Sequence, residues 1–230
     1  KIGLNIDDAV RIISSARSIK RNEVLLFDRD ALYLPDSPYD VFIDIEGNIY
    51  VLDESHGDKK RIMKDYLIGI ISNIGESFDY KPFIAHSLDK EYSMVEQFFD
   101  FITEIQDKDV VIYHWGNYEP SHIHNLLIRY GFDTTVFEKL KGKMIDLYSV
   151  TKNSTSFPVH DYSLKSIATS IDFSWPESMA GQDSIVLYRN YIDNIEGNEN
   201  NMKIIKEYNK HDCMAMIHIK NRLHELYKGL

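Results

Sequence analysis

The feature that most constrains this chain is a pair of acidic residues within an apolar, strand-like run from Val41 to Gly47. Side chains alternate between the two faces of a β-strand, so Asp44 and Glu46 point the same way and Phe42 shares their face. Two neighbouring carboxylates repel each other and are costly to bury. Mg²⁺ and Mn²⁺ prefer oxygen ligands and would remove that cost. The pair indicates either a metal site or a solvated strand end.

A third carboxylate lies in a long helix predicted from about Asn200 to Tyr227. Residues four apart share one helix face, so Tyr208 and Asp212 project together. Ile205 and Met216 lie close to the same stripe, which indicates that this face looks towards the core. An aspartate there needs a partner. It is either a structural residue that binds a donor elsewhere in the chain, or a metal ligand beside a tyrosine that holds water or phosphate.

A fourth acid follows a predicted buried strand, Val110 to His114. Glu119 begins the next predicted helix, which runs to Tyr130. Acids are favoured at a helix start in any protein because of the helix dipole, so a purely structural role is the alternative to a site role.

The order of predicted elements indicates the fold class. Three strand-like runs come first, with turns at Gly47-Asn48 and His56-Gly57-Asp58, and predict an antiparallel meander. The runs are Val41–Ile45, Asn48–Leu52 and Tyr66–Ser72. Helices are predicted near residues 90–105, 119–130, 163–170, 184–190 and 200–227, with the strand at 110–114 between the first two. We therefore expect an α/β fold, with a mixed sheet of a three-stranded antiparallel meander plus parallel strands, flanked by helices.

The first 38 residues are expected to form a small appendage. Ile6 to Ile19 has the apolar spacing of an amphipathic helix, and two prolines between Leu34 and Pro38 mark a linker. A segment of this length is too short to fold well alone, so it packs on the main domain or belongs with an upstream part. The main domain is predicted to span residues 39–230.

Composition narrows the function classes. The net charge of −10 argues against a broad, non-specific nucleic-acid binder with a basic face. It does not exclude a nuclease, because a carboxylate metal site is acidic until cations fill it. Cys213 is the one cysteine, which rules out an internal disulfide and disfavours a cysteine-based zinc site. No run approaches the roughly 18 apolar residues of a membrane span, and a cytoplasmic location is expected.

Taken together, the three motifs resemble those of the DEDD exonucleases of the tyrosine subtype, within the ribonuclease H-like superfamily. The finer resemblance is to the YprB-like predicted ribonuclease H-like nucleases, which also occur with RecB-like or helicase modules. It covers roughly Val41 to Leu226 and rests on residues 42–47, 113–119 and 208–212. Residues 1–38 weakly resemble the helix-hairpin-helix-like segment that can precede this domain.

The resemblance implies a 3′–5′ exonuclease that hydrolyses phosphodiester bonds of DNA or RNA with two divalent cations, Mg²⁺ or Mn²⁺. Asp44 would bridge both cations, Glu46 and Asp212 would complete the first site, and Glu119 would support the second. Tyr208 would orient the attacking water, since a phenol with a pKa of about 10 is a poor general base. The implied partners are a nucleic acid with a free 3′ end and a helicase or RecB-like module, with no membrane.

One departure from the family pattern keeps alternatives open. The wider family has aspartate where this chain has Glu119; if Glu119 faces away, Asp146 is the next candidate, although Asp146 is alternatively a structural acid at a strand end. The altered motif favours a rival, a catalytically inactive ribonuclease H-like domain that binds nucleic acid. The acidic charge favours another, a docking domain of a larger helicase-linked protein. The Tyr208–Asp212 pattern argues against a third, a transposase-like strand-transfer enzyme.

Several other side chains near the motifs have ordinary structural interpretations. His114 and His211 are expected to pack or form hydrogen bonds, and Cys213 to act as a small buried hydrophobe. Trp115 and Tyr118 could stack on a terminal base, with core packing as the alternative.

Overall fold

The computed structural model describes residues 6–53, 59–75, 77–176 and 183–229. Its elements, in chain order, are α1 (Ile6–Arg21), β1 (Leu25–Leu26), β2 (Tyr39–Asp53), β3 (Lys59–Ser72), β4 (Asp79–Ile84), a 3₁₀ turn (Leu88–Lys90), α2 (Glu91–Ile105), β5 (Val110–His114), α3 (Tyr118–Tyr130), α4 (Thr134–Lys141), β6 (Met144–Asp146), α5 (Leu147–Ser154), β7 (Thr155–Ser156), α6 (Leu164–Thr169), α7 (Ser184–Asp193) and α8 (Glu199–Lys228).

The main sheet has five strands in the spatial order β4-β3-β2-β5-β6. Strands β2, β3 and β4 pair antiparallel, whereas β5 runs parallel to β2 and β6 parallel to β5. Helices cover both faces of this sheet. The predicted α/β class, with an antiparallel meander plus parallel strands, is confirmed.

The meander uses different strands from those predicted. The runs Val41–Ile45 and Asn48–Leu52 are one long strand, β2, and the turn predicted at Gly47-Asn48 is wrong, because both residues pair with β3. The third strand is β4, which the sequence analysis missed. Its proline, Pro82, is tolerated because β4 is an edge strand. The turn predicted at residues 56–58 lies outside the described residues.

A β-bulge at Gly47 explains why a turn was predicted there. The β2–β3 ladder shifts register between Glu46, which pairs with Leu67, and Gly47, which pairs with Asp65. Tyr66 is therefore the extra residue on β3, and a bulge of this kind bends the strand and re-aims nearby side chains. The break in alternation that suggested two strands is a local irregularity within one.

The helix predictions at α2, α3, α6, α7 and α8 are confirmed, with small shifts at the ends. Gly131 ends α3 in the left-handed conformation, with φ 73°. Two short helices, α4 and α5, were missed. Both begin after an aspartate that caps the helix, Asp133 and Asp146, a signal that the sequence does carry.

Two hydrophobic clusters lie on the two faces of the sheet. Val41 and Ile43 belong to the cluster that contains the buried residues of α2, α3 and α4. Phe42 belongs to the other, which contains the buried face of α8. The alternation predicted along β2 is confirmed, and it places Asp44 and Glu46 on the face that α8 covers. Among the described helices, none combines the length and apolarity that a membrane crossing requires.

The N-terminal segment contacts the main body through α1 and the residues that follow it. Ser18 is buried and its hydroxyl donates to the carbonyl of Ser156 at 2.9 Å, and β1 pairs antiparallel with β7. Leu32 is buried in the cluster beneath α8. The apolar stripe predicted for α1 does not face this contact: Ile6 and Ile13 are exposed. The division of the chain at residue 38 stays a prediction.

We expect Leu32→Ala to lower the free energy of unfolding by about 2–5 kcal/mol, because the truncation leaves a cavity in a packed cluster. The matched control is Ile12→Ala, at an exposed position of α1. Urea unfolding followed by circular dichroism measures both. Equal, small effects of the two substitutions would mean that the N-terminal segment does not stabilise the domain.

Candidate metal centre

The candidate site lies where the parallel strands end. Phe42 of β2 pairs with Tyr113, and β5 ends one residue later at His114, while β2 continues through Asp44 and Glu46. The two acids are therefore just beyond the carboxyl end of β5. Crevices at this edge are where open α/β sheets generally bind ligands.

Three of the predicted site residues converge there. One carboxylate oxygen from each of Asp44, Glu46 and Asp212 lies within 4.8 Å of the others, and all three residues are partly exposed. Two come from β2 and the third from α8, which packs across β2 and β3. Three oxygens at this spacing could hold a divalent cation.

Asp44 is at the centre of this negative charge. Burial, followed by the charges of Asp212 and Glu46, raises the pKa of Asp44 well above its usual value, and the charge of Glu119 raises it further. A hydrogen bond from Asn209 acts in the opposite direction. Full ionisation of these acids is therefore unfavourable on its own, and a bound cation would favour it.

Asn209 is a site residue that the sequence analysis missed. It is fully buried, and its side-chain amide donates to Asp44 Oδ2 at 2.7 Å and to the Asp44 carbonyl at 3.1 Å. Its own amide oxygen accepts from the Tyr80 hydroxyl at 2.8 Å. Asn209 thus positions Asp44 and is itself held by β4.

Gly69 makes room for this contact. It pairs with Asp44 across the β2–β3 ladder, so a side chain there would project onto the same face. A Cβ on Gly69 would lie 1.5 Å from Asn209 Oδ1. A glycine within an apolar strand marks a close approach of this kind, and it was the signal available in the sequence.

Glu46 is held by donors from two other elements. Its Oε2 accepts from Ser184 Oγ at 2.8 Å, at the start of α7, and from the Tyr66 hydroxyl at 3.4 Å. Tyr66 is the bulged residue of β3, so the irregularity in the ladder serves the site. Burial raises the pKa of Glu46 although both hydrogen bonds lower it.

Asp212 is held by Trp175, whose indole N–H donates to Asp212 Oδ1 at 2.8 Å. Burial, and then the charge of Glu46, raises the pKa of Asp212 to about 8. The charge of Lys165 acts in the opposite direction; its Nζ lies 5.9 Å from the centre of the Trp175 ring. Neither Trp175 nor Lys165 was predicted from the sequence.

Tyr208 lies one helical turn from Asp212, on the same face of α8 as predicted. Burial, followed by the charges of Asp212 and Glu46, raises its pKa to about 12. Tyr208 therefore keeps its proton near neutral pH, so its hydroxyl can donate a hydrogen bond and is a weak general base.

Glu119 is buried at the start of α3, with 4% of its surface exposed. Its Oε2 makes no hydrogen bond within the described residues, and it lies 4.0 Å from His114 Nδ1. Burial raises the pKa of Glu119 to about 8. Glu119 is outside the close trio, but its charge reaches Asp44. A buried carboxylate oxygen without a donor has the character of a cation ligand.

Asp146 is beside the site, but both of its carboxylate oxygens already accept hydrogen bonds. Its Oδ1 accepts from the backbone N–H groups of Gly116 and Tyr148, at 2.8 and 3.0 Å, and its Oδ2 accepts from Ser149 Oγ at 2.5 Å. These bonds cap α5 and tie β6 to the loop after β5. Both oxygens therefore have a structural role.

The two histidines near the motifs bond to backbone carbonyls. His114 Nδ1 lies 2.5 Å from the Gly116 carbonyl, and burial lowers the pKa of His114, so the neutral ring donates there. His211 Nδ1 lies 2.7 Å from the Glu207 carbonyl, one turn earlier in α8.

The comparison with protein families agrees with this fold and site. The model of one family, described as the RNase H superfamily, matches residues 41–224. The chain belongs to the RNase H superfamily. The matched range contains Asp44, Glu46, Glu119 and Asp212, so the whole candidate centre lies within the RNase H superfamily domain. No curated protein and no solved structure matches the chain.

We expect Gly69→Ala to disrupt the RNase H superfamily site, because its Cβ displaces Asn209 from Asp44. The predicted cost is about 1–3 kcal/mol of stability from the unpaired buried groups, with weaker Mn²⁺ binding. Gly142→Ala is the control, since a Cβ there meets no atom within 4 Å. Thermal unfolding with and without Mn²⁺ measures both effects. Identical behaviour of the two variants would contradict this role for Gly69.

The raised pKa of Glu119 predicts a pH-dependent stability difference in metal-free protein. An acid whose folded pKa is about 8, against about 4.3 unfolded, contributes stability at low pH that is lost as pH rises towards 8. Glu119→Gln removes this loss. Relative to wild type, the variant should gain stability from pH 5 to pH 8, by up to about 1.4 kcal/mol per pH unit. A difference that does not change with pH, measured by urea unfolding in chelator, would contradict the prediction.

Proposed function

We propose that this RNase H superfamily chain is a metal-dependent nuclease, and more specifically a 3′–5′ exonuclease of the DEDD tyrosine subtype acting on DNA or RNA. The observation that carries the proposal is the convergence of Asp44, Glu46 and Asp212, with one oxygen of each within 4.8 Å of the others. The buried Oε2 of Glu119, which has no hydrogen-bond partner among the residues that the structure describes, supports it.

The residues present fit divalent cations. All candidate ligands are carboxylate oxygens, which suit Mg²⁺ and Mn²⁺, and the repulsion around Asp44 is what such cations relieve. We propose two cations, held by Asp44, Glu46 and Asp212 with Glu119. Asp146 is the weaker candidate because both of its oxygens already accept hydrogen bonds. When bound, divalent cations neutralise charge at a phosphate and favour ionisation of the attacking water.

The protein's own contribution is to fix the carboxylates in place before substrate arrives. Asn209 holds Asp44, Ser184 holds Glu46, and Trp175 holds Asp212. Supporting hydrogen bonds of this type set the orientation of ligand groups, and losing one typically costs 10- to 100-fold in metal affinity or activity. Tyr208, protonated near neutral pH, would donate a hydrogen bond to the attacking water or to a phosphate oxygen.

The proposed reaction is hydrolysis of the last phosphodiester bond. The water oxygen bonds to phosphorus, the bond between phosphorus and the 3′ oxygen breaks, and a proton ends on that oxygen. The products are a nucleoside 5′-monophosphate and a nucleic-acid strand that is one nucleotide shorter and ends in a new 3′ hydroxyl.

The proposed partners come from the resemblance to the exonuclease family, and the net charge of the chain is consistent with them. A net charge of −10 is unfavourable for binding a polyanion, whereas phosphate contacts dominate nucleic-acid affinity. We propose that a nucleic acid with a free 3′ end is the substrate, that a helicase or RecB-like module aids its binding, and that the protein acts in the cytoplasm. The second candidate is an inactive domain: Glu119, where the wider family has aspartate, favours a nucleic-acid-binding domain, and the acidic charge favours a docking domain.

The deciding experiment is degradation of end-labelled single-stranded DNA and RNA with Mn²⁺, with Mg²⁺ and with chelator. We expect metal-dependent ladders that shorten from the 3′ end. Asp44→Asn and Asp212→Asn should reduce cleavage to background, because each removes a carboxylate charge from the trio. Asp133→Asn, the same change at an exposed helix cap, should leave the rate unchanged.

The outcomes separate the two candidates. Binding of nucleic acid by folded wild type, with no cleavage under any metal, would overturn the nuclease proposal in favour of an inactive binding domain. Cleavage within circular substrates, which have no end, would overturn the exonuclease assignment while retaining nuclease activity.

A further inference from the structure

An aromatic side chain stands at the rim of the carboxylate site. Tyr118 immediately precedes Glu119, and 38% of its surface is exposed. Its hydroxyl lies near Gly47, next to Glu46, where a Cβ would approach it to 3.1 Å. After burial and the charge of Asp65, the charge of Glu46 also raises the pKa of Tyr118, as expected for a phenol beside the site.

This exposed ring is held from behind by another ring. Tyr118 stacks on His122, with ring centres 3.7 Å apart and an angle of 25° between the planes. No other aromatic ring within the described residues stacks on Tyr118. One face of the tyrosine is therefore covered, and the exposed part of the ring remains available to a ligand.

The histidine is in turn fixed by a buried acid. His122 Nδ1 lies 2.9 and 3.0 Å from the two oxygens of Asp65, which is 2% exposed. Burying a carboxylate is costly without a partner, so this pair holds the imidazole plane in one orientation. The result is a rigid support beneath a surface tyrosine, which lowers the entropic cost of ordering that side chain on binding.

Gly47 completes the arrangement. A Cβ at this position would lie 2.2 Å from Asp65 Oδ1 as well as close to the Tyr118 hydroxyl. Only the absence of a side chain at the bulge allows the acid and the tyrosine to occupy this corner beside Glu46. The same residue that ends the Asp44–Glu46 motif therefore also admits the support for Tyr118.

We propose that Tyr118, backed by His122 and Asp65, is a stacking platform for the base of the nucleotide at the site. This inference rests on the proposed nuclease function and specifies how that site recognises its substrate. The ligand class is a nucleobase rather than a phosphate, because the carboxylates around Tyr118 would repel a second anion. Every base has a π-face, so the platform would bind without strong sequence preference.

The test is a double-mutant cycle on the substrate. Single-stranded oligonucleotides end either in a normal 3′ nucleotide or in an abasic one, with a phosphorothioate at the last linkage to slow cleavage. We expect Tyr118→Ala to weaken binding of the normal strand roughly 5- to 150-fold and to leave binding of the abasic strand unchanged. Tyr118→Phe and Tyr118→Trp should retain the affinity of wild type, since both keep an aromatic face.

A fluorescent base gives a readout independent of affinity. With 2-aminopurine at the 3′ end, stacking on wild type should quench the emission of the bound strand, and Tyr118→Ala should abolish that quenching. The matched control is Tyr92→Ala, an exposed tyrosine of α2 that stacks on Phe132. It should change neither readout. Circular dichroism confirms that each variant is folded.

The outcomes distinguish this inference from the function on which it rests. Equal weakening of normal and abasic strands by Tyr118→Ala, or retained quenching in that variant, would overturn the platform while leaving cleavage by wild type intact. A wild type that neither binds nor cleaves either strand would overturn the nuclease proposal, and the platform with it.

Discussion

The contact on which the candidate site depends is the hydrogen bond between Asn209 and Asp44. It joins α8 to the central strand across 165 positions of sequence, and it links the fully buried Asn209 to the partly exposed Asp44. Without it, Asp44 would face the charges of Glu46, Glu119 and Asp212 and would lose the hydrogen bond that Asn209 donates. Burying a carboxylate without a donor is costly. The close packing of α8 on β2 and the absence of a side chain at Gly69 both serve this contact.

Each carboxylate of the trio has its own donor, supplied by a different element. α8 supplies the donor for Asp44, α7 the donor for Glu46, and the segment after α6 the donor for Asp212. Glu119 differs, because no donor in the described part of the chain reaches its buried Oε2. Neutral hydrogen-bond donors thus partly offset the repulsion between the carboxylates, and they leave the negative charge of the carboxylates available to cations. A structural salt-bridge network would have cancelled that charge instead.

Periodicity predicted most of the candidate site. The alternation of a strand placed Asp44 and Glu46 together, and the repeat of a helix placed Tyr208 with Asp212, because both depend only on local backbone geometry. The same reasoning failed at Gly47, where a bulge interrupts alternation within one strand. It also missed the short helices α4 and α5, and it missed the edge strand β4, because a proline argues against a strand in the sequence.

The sequence by itself determined which residues could bind metal and, through local periodicity, which of them share a strand or helix face. Only the tertiary structure decided that the two faces meet and which donors hold each acid. It also showed that Asp146 caps a helix, whereas one oxygen of Glu119 has no partner in the described ranges of the chain. The physical reason is that donors such as Asn209, Ser184 and Trp175 are ordinary residues in the sequence. They become part of the site only when long-range packing brings them within hydrogen-bonding distance.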